Sequence, residues 1–431
     1  MNEVPERAPS ETTRAQVPAD GAESRVTQAL EWVLIGTLVV IYGASFGINS
    51  PVNGLGEIYE LFDQDSRYII KSLADNVPYQ WNPQSHLFYH CLTEGLFHMW
   101  RRGFGGGTAS AFLFLKLFTA VTGLGFLLAL RVFLREVGLG IRQRLALLPL
   151  AGLSLAAWFH FAAFETSGLT MPFLLLFLIA FLRRVRRRDV SPANHILLVG
   201  SLLFAFWTRS DQWRLPVAAA ITLLLPQTRG VRRGLMLDLA LFAAILPIGY
   251  CLLASSHFHV PITQAVGKLI ERHDRADLAP MLANRGNLAP RNFLRVARAN
   301  AIYSFIMPIA DHPSPFSAKL RGLLHSPLSL LALLGVGCLL VATSVRSLRR
   351  LARGDAFHVV LWSSWIMGWI FYTWFNPYEP FLWILQFGVL EIAALADTWP
   401  STRAAFSVAS LAVVAALVAL HNAVFFWFRY R

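Results

Sequence analysis

The run ALEWVLIGTLVVIYGASFGI, Ala29 to Ile48, decides the fold class, because it is 20 residues long and apolar almost throughout. An α-helix rising about 1.5 Å per residue crosses the ~30 Å hydrocarbon core of a bilayer in about 20 residues. The run is too long for the apolar core of a signal peptide, and no convincing small-residue cleavage site follows it, so it reads as an uncleaved first span.

The rest of the chain has the same character. Of 431 residues, 55% are hydrophobic and 15% charged, and the mean hydropathy of +0.49 excludes a soluble globular domain. Further apolar runs lie at 109–133, 145–163, 169–184, 195–209, 215–227, 235–254, 326–345, 357–375, 380–396 and 405–426. Together they predict an all-α polytopic membrane protein of about eleven transmembrane helices. Pro172, Pro216 and Pro247 interrupt three runs, which is tolerated where neighbouring helices or a water-filled cavity take up the freed backbone groups. Residues 1–27 are polar and read as a disordered cytoplasmic tail ahead of a transmembrane domain over 28–431. Cys91, Cys251 and Cys338 are far apart and match neither a disulfide framework nor a zinc site.

The formal net charge of +13 does not point to nucleic acid, because the bases fall in short clusters between apolar runs. RVFLREVGLGIRQR, RRVRRRD, TRGVRRG and RSLRRLARGD all fall on one side of the predicted spans, as the positive-inside rule asks of cytoplasmic loops. RRVRRRD is read as a cytoplasmic anchor without further function. The N-terminus is then cytoplasmic, and two long segments, 49–108 and 255–325, face the other side of what is expected to be a bacterial inner membrane. The second holds nine bases against four acids. It either gathers an anionic lipid donor or rests on anionic headgroups. His257 and His259, two residues apart, would share a face only in a strand, so SHFHV reads as an interfacial loop.

The first outer segment is acidic by contrast, with six acids against four bases. In FDQDSRYIIKSL, Phe62 to Leu73, Asp63 and Asp65 precede a helix-like stretch, where either caps a helix or serves as a base. In WNPQSHLFYH, Asn82, His86 and Tyr89 recur at intervals of four and three and would share one face of a helix starting there.

This arrangement resembles the GT-C superfamily of membrane glycosyltransferases that use lipid-phosphate sugars, such as protein O-mannosyltransferases and aminoarabinose-to-lipid-A transferases. Those proteins carry a modified D-x-D or D-E motif at the head of a large first outer loop, and DQD stands in that place. Their His-Pro-Pro turn is similar to WNPQSHLFYH, with Asn82 in the His position. Glu165 in FHFAAFETSGLTMPF occupies the family's second acidic position. Arg209 in FAFWTRSDQWRLP stands at the basic position of an L-T-K or L-T-R segment. FNPYEPFLWI is similar to a late turn where relatives carry Arg-Tyr; here Tyr378 and Glu379 remain. The likeness covers most of Gln28 to Glu391 at the level of topology.

The resemblance implies a GT-C-like fold with amphipathic helices in the first outer loop. It also implies inverting transfer of a sugar from a polyprenyl-phosphate-linked donor to an acceptor hydroxyl on the periplasmic face. Such transfer needs a base for the acceptor proton and cationic donors for the leaving phosphate. Asp65 leads as base, with Asp63 second and Glu165 supporting; Arg209 leads as phosphate clamp, with Arg214 closing the same turn. Asn82, His86, Tyr89, Tyr378 and Glu379 complete the expected substrate site. No metal ligands are assigned, although a divalent cation is compatible with the family. Membrane lipids and a lipid-linked donor are the expected partners; the acceptor, whether glycan, lipid or protein, is not specified. Either arginine is alternatively a snorkelling anchor beside Trp207 and Trp213. The rival functions are a transporter or flippase of a lipid-linked glycan, and a membrane acyltransferase using His86 or His160.

Overall fold

The chain is described by a computed structural model covering residues 25–45, 65–77, 86–162, 166–273, 285–306, 326–375, 384–402 and 407–428. Among these residues every element is helical. In chain order they are α1 (Arg25–Ser45), α2 (Asp65–Asp75), α3 (Leu87–Phe104), α4 (Thr108–Glu136), α5 (Ile141–Gly152), α6 (Leu155–Ala162), α7 (Thr166–Leu182), α8 (Pro192–Thr208) and α9 (Arg214–Ile221). There follow α10 (Arg232–Phe258), α11 (Ile262–His273), α12 (Pro290–Arg298), α13 (Pro327–Ala352), α14 (Ala356–Phe375), α15 (Ile384–Thr402) and α16 (Val408–Phe428). The protein is an all-α polytopic membrane protein whose segment 49–108 carries the two helices α2 and α3.

The predicted apolar runs overlap these helices unequally: 145–163 takes in two, α5 and α6, and 215–227 runs past α9. Five helices, α1, α4, α7 extended through Arg187, α10 and α13, are long and apolar enough to cross a membrane, and the bent α5 and α6 pair makes six. α8 and the apolar stretch of α16 are shorter. α9 has only eight residues before the backbone tightens into 3-10 turns. α14 and α15 are diluted by Trp362, Trp365, Trp369 and Trp374 and by Gln386, Glu391 and Asp397. The tail boundary also moves, since Arg25 to Thr27 form the first turn of α1.

The run 145–163 is not one straight span: α5 and α6 meet at a bend of 60°. A break inside a membrane is tolerated only when its freed backbone groups find partners. Here the amides of Leu155 and Ala156 donate to the carbonyls of Phe305 (3.0 Å) and Ser304 (3.2 Å). Asn422 Nδ2 of α16 donates to Leu153 O at 2.8 Å and to Phe305 O at 2.9 Å. Tyr42 of α1 locks the bend from the other side, donating from its hydroxyl to Gly152 O at 2.8 Å. The close approach needs glycine, because a Cβ on Gly123 of α4 would lie 2.7 Å from the Tyr42 ring.

Basic residues at one end of the helices form a belt of ion pairs. Glu31 of α1 is fully buried and receives Arg131 (2.7 Å) and Arg144 (2.8 Å). Within RRVRRRD, Arg183 and Arg187 pair with Glu136 at 3.0 and 2.9 Å. Arg184 reaches Asp238 of α10 at 2.8 Å, both side chains being wholly buried, and His195 shares that carboxylate. Arg186 and Arg350 converge on Asp397 of α15, with His358 Nε2 at 3.0 Å. Arg183, Arg184, Arg186 and Arg187 thus reach acids on other helices, beyond the anchoring expected of RRVRRRD, and pairing is what allows the buried Arg184 to lie between helices.

Removing one partner of a buried pair leaves an uncompensated charge, whereas an exposed pair contributes little. Asp238→Ala is expected to destabilise the protein by about 3–5 kcal/mol. Asp355→Asn breaks only the half-exposed 3.4 Å contact to Arg186 and keeps a cap for α14, so it should cost under about 1 kcal/mol. Thermal unfolding in detergent measures both; equal losses would remove the belt as a determinant of stability.

Candidate functional site

At the end of the bundle opposite the ionic belt, the turn between α8 and α9 carries polar groups inward. α8 begins under a Ser191 cap with Pro192 at its first position, geometry pre-set for a helix start. It ends where Arg209 takes an extended backbone conformation (φ −148°, ψ 113°). The chain then makes one 3-10 turn, Ser210–Trp213, before α9 starts at Arg214. This turn projects Arg209, Asp211, Gln212 and Arg214 toward α14 and α15.

Asp211 is the hub. Its carboxylate accepts from Arg209 Nε (3.1 Å) and Nη2 (2.7 Å), from Gln212 Nε2 (2.8 Å) and from the Tyr372 hydroxyl of α14 (2.6 Å). Burial works against its ionisation, but Arg209 and Arg214 beside it and the Tyr372 hydroxyl hold the carboxyl below the usual carboxylate range. Gln386 of α15 closes the ring, accepting from Gln212 and Arg214 and donating to Tyr372. Arg209 also donates to Ser167 at the start of α7. The side chain of Arg209 is 3% exposed and Arg214 is 1% exposed, so the snorkelling alternative fails for both.

The two arginines are not equivalent. Arg209 is compensated by Asp211 through two hydrogen bonds to a single carboxylate oxygen. Among the described residues Arg214 bonds only the neutral amide of Gln386, and it lies 5.9 Å from the Tyr372 ring centroid and 5.3 Å from that of Phe387. Its Nε and Nη1 are buried with no hydrogen-bond partner among those residues. Among the described residues the cluster holds two arginines against one aspartate, and buried cations without an anion are costly. Room for Arg214 is made by Gly368 of α14, since a Cβ there would collide with its Nη1 and lie 2.8 Å from the Phe387 ring.

The first outer segment reaches the same place from α3. That helix starts at Leu87, so His86 is its N-cap residue, with no side-chain cap hydrogen bond, rather than a mid-helix residue. His86 Nδ1 lies 3.4 Å from Thr208 O. Burial, and then Arg209, push its pKa down to about 3, against a smaller opposite pull from Asp211; the imidazole is neutral at physiological pH. Tyr89 does not join the cluster. It is 2% exposed and packs with Ile69, Ile70 and Leu73 of α2 and with Phe97 and Phe114. Asp65 is the first residue of α2. Asp63, Asn82, Glu165, Tyr378 and Glu379 lie outside the described residues.

His257 also departs from expectation. It is buried in the last turn of α10 with Nδ1 3.2 Å from Glu94 Oε2 of α3, while His259 caps the helix in a left-handed conformation (φ 52°). His160, weighed for acyl transfer, is buried in α6 with Nδ1 2.7 Å from Ala156 O. Among the described residues no group of three or more His, Cys, Asp or Glu is arranged to hold a metal ion. Asp211, Gln212, Tyr372, Gln386 and Ser167 were not singled out from the sequence. Asp211 and Gln212 stand inside the motif that drew attention to Arg209. Gln386, a lone amide in an apolar run, is the type of residue that marks a site in a membrane helix.

No family model matches the chain, and no curated protein sequence matches it. Solved structures do match. The apo crystal structure of the Archaeoglobus fulgidus oligosaccharyltransferase aligns with a TM-score of 0.50 at 13% identity, over 95% of this chain and 57% of that one. The archaeal oligosaccharyltransferase AglB from the same organism, in complex with an inhibitory peptide and a dolichol-phosphate, aligns at 0.48 and 12%, over 94% and 56%. The chain thus spans just over half the length of these enzymes and shares the oligosaccharyltransferase fold, the GT-C-like architecture expected from the sequence.

Overpacking a filled site costs about 1–3 kcal/mol. Gly368→Ala is expected to lose that much stability, and part of the loss should be recovered in an Arg214→Ala background. Gly337 of α13 has open space around its Cβ position, so Gly337→Ala should be neutral or stabilising. A Gly368→Ala loss independent of residue 214 would contradict the contact.

Proposed function

We propose that this chain is a membrane glycosyltransferase. It moves a sugar from a polyprenyl-phosphate-linked donor to an acceptor hydroxyl on the non-cytoplasmic side of the membrane, with inversion at the anomeric carbon. The observation that carries the reading is the buried guanidinium of Arg214, bonded to a neutral amide in a cluster where, among the described residues, two arginines face one aspartate. The shared fold with a membrane glycosyl-transfer enzyme supports it, as does the DQD motif ahead of α2.

In the reaction the acceptor oxygen attacks the anomeric carbon, the bond from that carbon to the phosphate oxygen breaks, and the acceptor proton passes to a carboxylate. Asp65 leads as that base, with Asp63 and Glu165 in support; the oxocarbenium-like character of glycosyl transfer also favours negative charge nearby. The departing lipid phosphate gains charge as the sugar leaves. A fixed guanidinium with free donors stabilises it in two-pronged fashion, which a lysine ammonium does not reproduce. Arg214 takes this role in place of Arg209, because Arg209 is already held by Asp211. Arg209 instead fixes Asp211, which orients Tyr372 and through it Gln386. Neutral His86 adds no charge to that of the two arginines. Asn82, Tyr378 and Glu379 remain assigned to the substrate site, whereas Tyr89 is reassigned to packing of the outer helices. The donor sugar, the acceptor and any divalent cation are open choices within this reading.

The test uses the purified full chain in lipid nanodiscs, a polyprenyl-monophosphate donor labelled in the sugar, and native membrane extract as acceptor source. Label should pass to acceptor with inverted anomeric configuration. Asp65→Asn should lower turnover by about 10²–10⁴, and Arg214→Lys by about 10²–10³, with thermal stability kept. Movement of intact donor across a vesicle bilayer without label transfer would establish the transporter instead. Wild-type turnover in Arg214→Lys would remove the clamp.

A further inference from the structure

The segment of 285–306 is basic without an acid in it, and its helix α12 is anchored on α14 in one orientation. Asn292 and Val296 are buried on one side, at 3% and 0% exposure. Trp369 Nε1 of α14 donates to Phe293 O at 2.8 Å, and the Phe293 and Trp369 rings meet edge to face at 5.7 Å. Asn287 Nδ2 donates to Trp374 O at 3.0 Å, and Asn292 Nδ2 donates to Asn287 O at 3.1 Å. Val296 packs with Tyr372 and Phe387, which are also the rings beside Arg214.

With that face fixed, helical spacing sets the other. Arg291, Leu294, Arg295 and Arg298 stand at intervals of three and four and form one stripe. Arg291, Leu294 and Arg298 are exposed, and Leu294 is 72% exposed in the middle of the arginines. Leu288, just ahead of the helix, is 45% exposed. A leucine presented among arginines is mismatched to bulk water and to hydrocarbon alike. Both residue types are satisfied at the bilayer boundary, where apolar side chains enter the acyl region and guanidinium groups meet phosphates. The tryptophans of α14 that hold α12 are of the type enriched at that depth.

We propose that the α12 stripe binds the phosphodiester headgroups of anionic glycerophospholipids, with Leu294 inserted beneath them. The site is separate from the Arg214 cluster and does not depend on the transfer reading. Its occupancy holds α12 against α14, the helix that supplies Tyr372.

Hydrogen exchange of backbone amides 290–299, measured on the full chain in nanodiscs, tests it. Wild-type protein is compared in phosphatidylcholine and in equal parts phosphatidylcholine and phosphatidylglycerol. The anionic lipid should slow exchange of this segment, by about fivefold for each arginine engaged. Arg291→Gln should forfeit about fivefold of that slowing, while exchanging as wild type does in phosphatidylcholine alone, which shows that α12 is still docked. Equal exchange in the two lipids would overturn the proposal, as would slowing that persists undiminished in Arg291→Gln. Equivalent slowing by inorganic phosphate added to phosphatidylcholine discs would overturn the lipid surface as the ligand.

Discussion

A charge buried between apolar helices must find a partner, and the two ends of this bundle meet that requirement differently. At one end the arginines of the belt reach carboxylates, and single acids such as Asp397 serve two arginines and a histidine. At the opposite end Asp211 serves Arg209 directly, while Arg214 rests, among the described residues, on an amide and two aromatic faces. The first arrangement ties helices together. The second holds a cation in reserve for an anion that the chain does not itself supply among the described residues.

The architecture explains why the reserve sits where it does. The extended conformation at Arg209 ends α8 and turns the chain through Asp211 into α9, so four polar side chains leave one short turn on the inner side of the bundle. α14 and α15 receive them with Tyr372 and Gln386, and Gly368 supplies the space that a larger residue would fill. α3 brings His86 to Thr208 from the first outer segment. The bent α5 and α6 pair uses the same physics. Its broken backbone is completed by Ser304, Phe305 and Asn422, so an interrupted helix survives within the membrane domain.

Much of the fold was legible because spanning helices leave a one-dimensional signal: most apolar runs from Ala29 onward overlap a single helix, and five to six helices are long and apolar enough to span. The bend at Leu153 was not legible. Its compensation comes from Phe305 and Asn422, residues 117 apart from each other and far from the break in sequence. The site was half legible. Arg209 and Arg214 stood out as bases at the end of an apolar run, and their unequal roles did not, because Gln386 lies 172 residues from Arg214 and Tyr372 lies 161 from Asp211. Spacing alone does not separate roles for Tyr89, since a tyrosine at helical spacing from His86 serves as well for packing α2 and α4, where the structure buries it, as for holding a substrate.

The claim on which everything else rests is that Arg214 awaits the phosphate of a polyprenyl lipid. Mass spectrometry of lipids retained by the purified protein addresses it without an acceptor or an assay. Wild-type protein should carry a polyprenyl phosphate, with or without its sugar, above the level in the surrounding membrane extract, and Arg214→Gln should lose it while retaining bulk phospholipid. Retention of only bulk phospholipid by the wild type, or of polyprenyl phosphate equally by both proteins, would contradict the account.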